Sequence, residues 1–191
     1  MGALRKLLLR DEHVCPWWFA YSFDNPIRRL VHPAGKIVRD YVGTEMTVID
    51  IGCGMGYFAL EMARRVGPEG RVIAVDLQEK MLVRVGKRAE RAGLADRIIL
   101  HPCGPDQLGV DQEVDFVLTF WMVHEVPDRD SFLDQVHRIL KRGGSWLVVE
   151  PKVHTPQARF QALLASAGER GYEVLDRPKI RLSYAGVLGK I

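Results

Sequence analysis

The segment Asp50-Ile51-Gly52-Cys53-Gly54-Met55-Gly56 constrains this chain more than any other, because it joins a β-branched run directly to an amphipathic stretch. The run Thr47 to Ile51 is short and apolar and reads as a buried strand of a parallel sheet. Glycines at alternate positions let the backbone reverse sharply, and a ligand can approach without meeting a Cβ. A helix that starts straight after such a turn presents free N–H groups and the positive end of its dipole. Tight turns also need glycine for structural reasons alone, so the loop by itself does not fix a function.

The strand–turn–helix unit recurs along the chain. Arg71–Asp76, Arg97–Leu100, Val114–Thr119 and Ser145–Glu150 read as four further strands, and Tyr172–Leu175 and Ile180–Leu188 as two terminal ones. Between them lie helical stripes: Met81, Leu82, Val85 and Ala89; Phe132, Leu133, Val136, Ile139 and Leu140; Phe160, Leu163, Leu164 and Ala167. Lys141 and Arg142 are expected in the last turn of the second of these helices, with Gly143 as its left-handed cap. The expected fold is α/β and Rossmann-like, a doubly wound, mostly parallel seven-stranded sheet with helices on both faces. With 191 residues, 47% of them apolar and 27% charged, the chain suits one globular domain. Residues 46–191 should form that domain. Residues 1–45, rich in aromatics and punctuated by Pro16, Pro26 and Pro33, should be a helical lid segment laid over one end of the sheet.

Asp76 gives the loop a partner. It lies 24 positions after Gly52, at the end of the second strand, where a carboxylate can accept both ribose hydroxyl protons. Loop and acid together point to an adenosine-containing ligand. The dinucleotide fingerprint would place its third glycine at position 57, which is Tyr57 here. Asp50 would also repel a pyrophosphate, whereas the ammonium of an amino acid would be attracted to it. An aminoacyl nucleoside therefore fits better than a nicotinamide cofactor.

Val48 to Gly56 resembles the first motif of class I S-adenosylmethionine-dependent methyltransferases, and Val72-Ile73-Ala74-Val75-Asp76-Leu77 resembles the second. Val114 to Phe120 is similar to the fourth. Ile139-Leu140-Lys141-Arg142-Gly143-Gly144 is similar to the segment before strand five in small-molecule enzymes related to quinone C-methylases. The resemblance covers residues 46–150 and implies S-adenosylmethionine as cofactor, with S-adenosylhomocysteine as product. It implies that Asp50, Gly52, Cys53, Gly54 and Gly56 hold the methionine part, Asp76 the ribose and Leu77 one face of the adenine. Such enzymes often carry Gly-Asp after strand three. This chain has His101-Pro102-Cys103-Gly104-Pro105-Asp106, so either Asp106 or the backbone around Cys103 and Gly104 is expected at the adenine.

Ligands of an open parallel sheet sit outside the carboxyl ends of its strands. Phe120-Trp121-Met122-Val123-His124-Glu125 should therefore wall the space between cofactor and acceptor. His124 is the candidate base, since imidazole titrates near neutrality, or else a residue that orients the loop. Phe120 is expected against the cofactor, through packing or cation–π attraction to a sulfonium. Trp121 and Glu125, with Trp17, Trp18 and Tyr21 of the lid, are expected either to touch the acceptor or to serve plainer ends: packing for Trp121, contact with water for Glu125, anchoring of the lid for the other three. Arg28 and Arg29 either attract an anion or form a solvated face. His13 and Cys15 have the residue types of a metal or metalloid site but no second paired motif, so no metal is assigned.

The expected activity is methyl transfer to a small, apolar or aromatic acceptor. Alternatives are a noncatalytic S-adenosylmethionine-binding protein and a nicotinamide-dependent oxidoreductase. The formal net charge of +3 includes no long basic run, so no nucleic acid partner is implied, and a homodimer is compatible with the sequence. Apolar runs fall short of the ~18–20 residues of a membrane span. Met1–Arg10 has too short an apolar run for a signal peptide and reads as an amphipathic helix. Three scattered cysteines, Cys15, Cys53 and Cys103, suit a cytoplasmic protein better than a disulfide framework.

Overall fold

The computed structural model describes residues 30–191. Lid residues Trp17, Trp18 and Tyr21, and the pair His13 and Cys15, lie outside the described residues.

In chain order the elements are α1 (Ala34–Val38), β1 (Thr47–Ile51), α2 (Tyr57–Arg65), β2 (Arg71–Asp76), α3 (Glu79–Arg91), β3 (Ile98–Pro102) and β4 (Val114–Phe120). They continue with α4 (Arg129–Ile139), β5 (Leu140–Pro151), α5 (Gln157–Gly168), β6 (Tyr172–Asp176) and β7 (Ser183–Lys190). The strands form one sheet in the order β3-β2-β1-β4-β5-β7-β6. β1 pairs in parallel with β2 and β4, and β2 with β3, as β4 does with β5. β7 runs antiparallel to both β5 and β6. This is the expected seven-stranded, mostly parallel sheet.

The pleat sorts each strand's side chains onto two faces. Val48, Val72, Ala74, Phe116, Leu118, Leu147 and Val149 share one core with α1, α2 and α3. Ile49, Ile73, Val75, Val117, Trp146 and Val148 share the other with α4 and α5. Central strands covered on both faces have no solvated side, which is why they read as continuous apolar runs. The helical stripes are buried where their spacing places them: Met81, Leu82, Val85 and Ala89 on α3, and Phe160, Leu163, Leu164 and Ala167 on α5.

Two boundaries differ from expectation: β7 begins at Ser183 rather than Ile180, after a turn in which Leu182 takes φ +57°, and the junction of α4 and β5 is displaced. α4 stops at Ile139, and Leu140 is already extended, so Lys141 and Arg142 do not occupy a last helical turn. Leu140 is fully buried opposite Val114, and the next pairing is Phe116 with Ser145. Sheet pairing outweighs the helical tendency of Leu-Lys-Arg, and residues 141–144 bulge out of register. Gly143 takes φ +76° within that bulge rather than as a helix cap. Lys141 instead reaches Asp115, its Nζ 2.7 Å from Oδ1.

Phe116 sits at the centre of β4, fully buried and stacked on Tyr41 at 5.6 Å with an interplanar angle of 2°. Phe116→Ala should destabilise the fold by about 3–5 kcal/mol in urea denaturation, through lost transfer energy and the cavity left behind. A loss below about 1 kcal/mol would contradict this central packing role.

Candidate functional site

The loop after β1 is held from the second strand. The N–H groups of Gly52 and Cys53 both donate to the Val75 carbonyl, at 2.9 and 3.0 Å. The Gly54 N–H donates to Asp76 Oδ2 at 2.8 Å, and the Gln78 N–H to Oδ1 at 2.9 Å. A carboxylate offers about four lone-pair sites. These two bonds leave acceptor capacity on each oxygen, and the carboxylate is 8% exposed at the rim of the loop.

Two glycines explain the loop's shape. Gly54 has φ +53°, and a Cβ built there would meet no described atom within 4 Å, so the space above its backbone is open. Gly52, at φ +72°, has the opposite surroundings: a Cβ would lie 2.9 Å from Met122 Cγ. The turn after β4 therefore presses on the glycine loop, and Met122 joins the two halves of the site. Gly56, also left-handed, precedes the first turn of α2.

Other expected residues lie on the strands and turns next to this loop. Asp50 is 2% exposed on β1. Leu77, directly after Asp76, is unusually open for an apolar side chain at 37%. The Cys103 N–H donates to the Asp76 carbonyl at 3.2 Å, which brings the segment after β3 beside the carboxylate. Gly104 donates to Gln107 O, and the Asp106 carbonyl accepts from Gln135 Nε2 of α4 while its side chain faces solvent. Burial first, then the charges of Asp50 and Asp76, push the Cys53 thiol well up. Burial and Asp76 push Cys103 up to about 11. Among the described residues no group of three or more His, Cys, Asp or Glu is arranged to hold a metal.

Beyond the crevice, Phe120 and Trp121 pack against residues the sequence did not single out. The His32 ring meets both edge-on, at 5.1 and 4.9 Å, and its Nε2 lies 2.8 Å from the Arg181 carbonyl. Trp121 has φ +62°, an outlier for a bulky residue, and donates from Nε1 to Ser183 Oγ at 2.9 Å. His124 follows in a short 3-10 turn, Val123–Glu125. Its Nδ1 lies 2.9 Å from Glu150 Oε2, and its Nε2 is 3.9 Å from Glu125 Oε1. Glu150 was not anticipated. The available signal was an acid ending an apolar strand at the carboxyl edge, the same reasoning that selects Asp76 on β2.

The methyltransferase domain family matches residues 48–144, just over half of the 191 residues. The chain belongs to this family. Its fold and motifs are those of class I S-adenosylmethionine-dependent methyltransferases. The demethylmenaquinone methyltransferase of Listeria welshimeri is 30% identical over 115 residues, which is 60% of this chain and 48% of that protein. The Lactobacillus johnsonii enzyme of the same name is 33% identical over 103 residues, 53% of this chain and 42% of that one. The chain thus spans about half the length of these relatives. A solved S-adenosylmethionine-dependent methyltransferase from Aquifex aeolicus superposes with a TM-score of 0.80 at 21% identity, over 92% of this chain and 98% of that one. That likeness shows the fold.

The crevice fits the cofactor this fold implies. The space over Gly54 is one a Cβ would fill, and the carboxylate at its edge keeps lone pairs for hydroxyl donors.

Burial raises the Asp76 carboxyl above its ordinary 3.8, against the lowering effect of the two N–H donors. The folded chain then holds that proton more tightly than the unfolded chain does. The resulting stabilisation is present below the ordinary value and is lost as pH rises through the raised one. Measured by urea denaturation across pH, the parent should lose stability relative to Asp76→Asn in the window just above pH 3.8. A flat difference, or one of opposite slope, would contradict the buried placement.

Proposed function

We propose that this domain binds S-adenosylmethionine in the crevice between the glycine loop and Asp76 and transfers its methyl group to a small apolar or aromatic acceptor. The observation that carries the reading is the Gly54–Asp76 pair, an open backbone position bonded at 2.8 Å to a buried carboxylate with spare acceptor capacity. When bound, the cofactor supplies a methyl carbon already activated by its sulfonium, so the protein's tasks are to orient, exclude water and handle a proton.

In this reading Asp76 accepts the ribose hydroxyls, Leu77 covers one face of the adenine, and Gly52 to Gly56 seat the methionine part. Asp50 attracts the ammonium. Cys103 and Gly104 lie at the adenine, since the Cys103 backbone is tied to Asp76 whereas the Asp106 side chain points to solvent. Phe120 and Trp121 form the aromatic wall toward the acceptor, with Glu125 at its edge. His124 takes the acceptor's proton. The lid residues Trp17, Trp18 and Tyr21 belong to the same proposal through the aromatic content of their segment in the sequence.

The names of the curated relatives support a small acceptor. Nucleic acid is not a partner in this reading, because a formal charge of +3 offers little attraction to a polyanion. Among the described residues no helix is long and apolar enough to cross a membrane. A cytoplasmic setting is proposed with the same reading, in which Cys53 and Cys103 stay unbridged.

S-adenosylhomocysteine should raise the melting temperature by ligand linkage. Calorimetric titration should show at least about tenfold weaker binding for Asp76→Ala, since hydrogen bonds to a charged group are each worth ~1.5–3 kcal/mol. Equal affinity in parent and variant would remove Asp76 from the ribose. His124→Ala should bind the cofactor as the parent does and lose at least about a hundredfold in turnover, the range of general base catalysis. An undiminished rate would remove its catalytic role.

A further inference from the structure

Glu150, next to last in β5, has its side chain almost entirely enclosed, at 2% exposure. A buried carboxylate survives in a core only when its oxygens are met by donors. Four meet this one. The Val123 N–H donates to Oε1 at 3.0 Å, and the His124 N–H to Oε2 at 3.1 Å. The Thr155 hydroxyl donates to Oε2 at 3.1 Å, and the His124 ring closes the set through Nδ1 at 2.9 Å. Two of these donors are consecutive backbone amides in the turn after β4. The carboxylate therefore holds the turn and the imidazole at once.

An ionised carboxylate only accepts hydrogen bonds, so the ring nitrogen facing it has to carry a hydrogen. A neutral imidazole protonated at Nδ1 has its lone pair on Nε2. The ring is further fixed from outside by stacking on His154, with centroids 5.8 Å apart and planes 8° from parallel, while Arg159 Nη2 donates to the His124 carbonyl at 3.3 Å. Glu125 Oε1, at 3.9 Å from Nε2, stands beyond ordinary hydrogen-bond length.

We propose that Glu150 is a positioning residue that fixes His124 in its Nδ1–H tautomer and presents Nε2 as the base, which assigns the site to acceptors whose nucleophilic atom carries a removable proton. The inference rests on the reading that His124 faces the acceptor. The step balances: the acceptor atom bonds to the methyl carbon, the C–S pair leaves with sulfur, and the pair of the acceptor's X–H bond stays on X. The proton goes to Nε2, so the positive charge of the sulfonium ends on the imidazolium. Glu150 then faces a full charge on Nδ1–H and strengthens that hydrogen bond. An acceptor with no proton to lose, such as a tertiary amine, would make no use of this arrangement.

The test is ¹⁵N–¹H correlation of the histidine ring nitrogens in the full chain, recorded above the titration midpoint of His124 and assigned with His124→Ala. The expected pattern is a protonated-type Nδ1 and an unprotonated-type Nε2, with and without S-adenosylhomocysteine. A protonated-type Nε2 in the neutral ring would overturn the proposal whatever the activity. Glu150→Gln, whose amide can donate as well as accept, should give a mixture of both tautomers, and an unmixed Nδ1–H pattern in that folded variant would also count against it. Thr155→Val removes one donor without touching the ring contact, so it should leave the parent pattern intact. A change there would deny Glu150 its specific hold on the ring. Calorimetry on the same samples separates the two readings. Absent cofactor binding defeats the methyltransferase reading, whereas retained binding with the wrong tautomer defeats only the role of Glu150.

Discussion

The hydrogen bond from the Gly54 N–H to the Asp76 carboxylate is the contact on which the rest of the site depends. It ties the turn after β1 to the end of β2, so the open backbone and the buried acid cannot drift apart. The parallel pairing of the two strands, Ile51 beside Val75, brings them to the same edge. Desolvating a carboxylate is costly, and two backbone amides offset much of that cost. In the proposed reading, the remaining lone pairs are the target of an incoming hydroxyl.

A second acid repeats the device across the sheet. Glu150 is next to last in β5 as Asp76 is last in β2, and each gathers backbone N–H groups from a neighbouring turn. In the proposed reading Asp76 belongs to the cofactor side and Glu150 to the acceptor side. Met122 stands between them, pressed on Gly52. A residue larger than glycine at position 52 would thus displace Met122 and with it the turn that leads into His124.

Much of this was legible in the sequence. The runs Thr47–Ile51 and Arg71–Asp76 are strands at those bounds, and the stripes of α3 and α5 bury the residues their spacing selects. Those signals are local, carried by periodicity and by glycine. The boundary between α4 and β5 was not legible, because Leu140 turns extended only to pair with Val114, a partner 26 positions away. Glu150 and His32 were missed for a related reason. Their partners, Val123, His124 and Thr155 for the first, Arg181, Phe120 and Trp121 for the second, lie on other elements and share no spacing rule. The placement of Asp76 beside the glycine loop was accessible because loop and acid occupy consecutive βα units.

A crystal structure with S-adenosylhomocysteine bound tests the central claim most directly. Both ribose hydroxyls should lie within hydrogen-bond distance of the Asp76 oxygens, with the homocysteine chain lying over Gly54. A ligand seated elsewhere on the sheet edge, with the Asp76 carboxylate out of reach of its sugar, would contradict it.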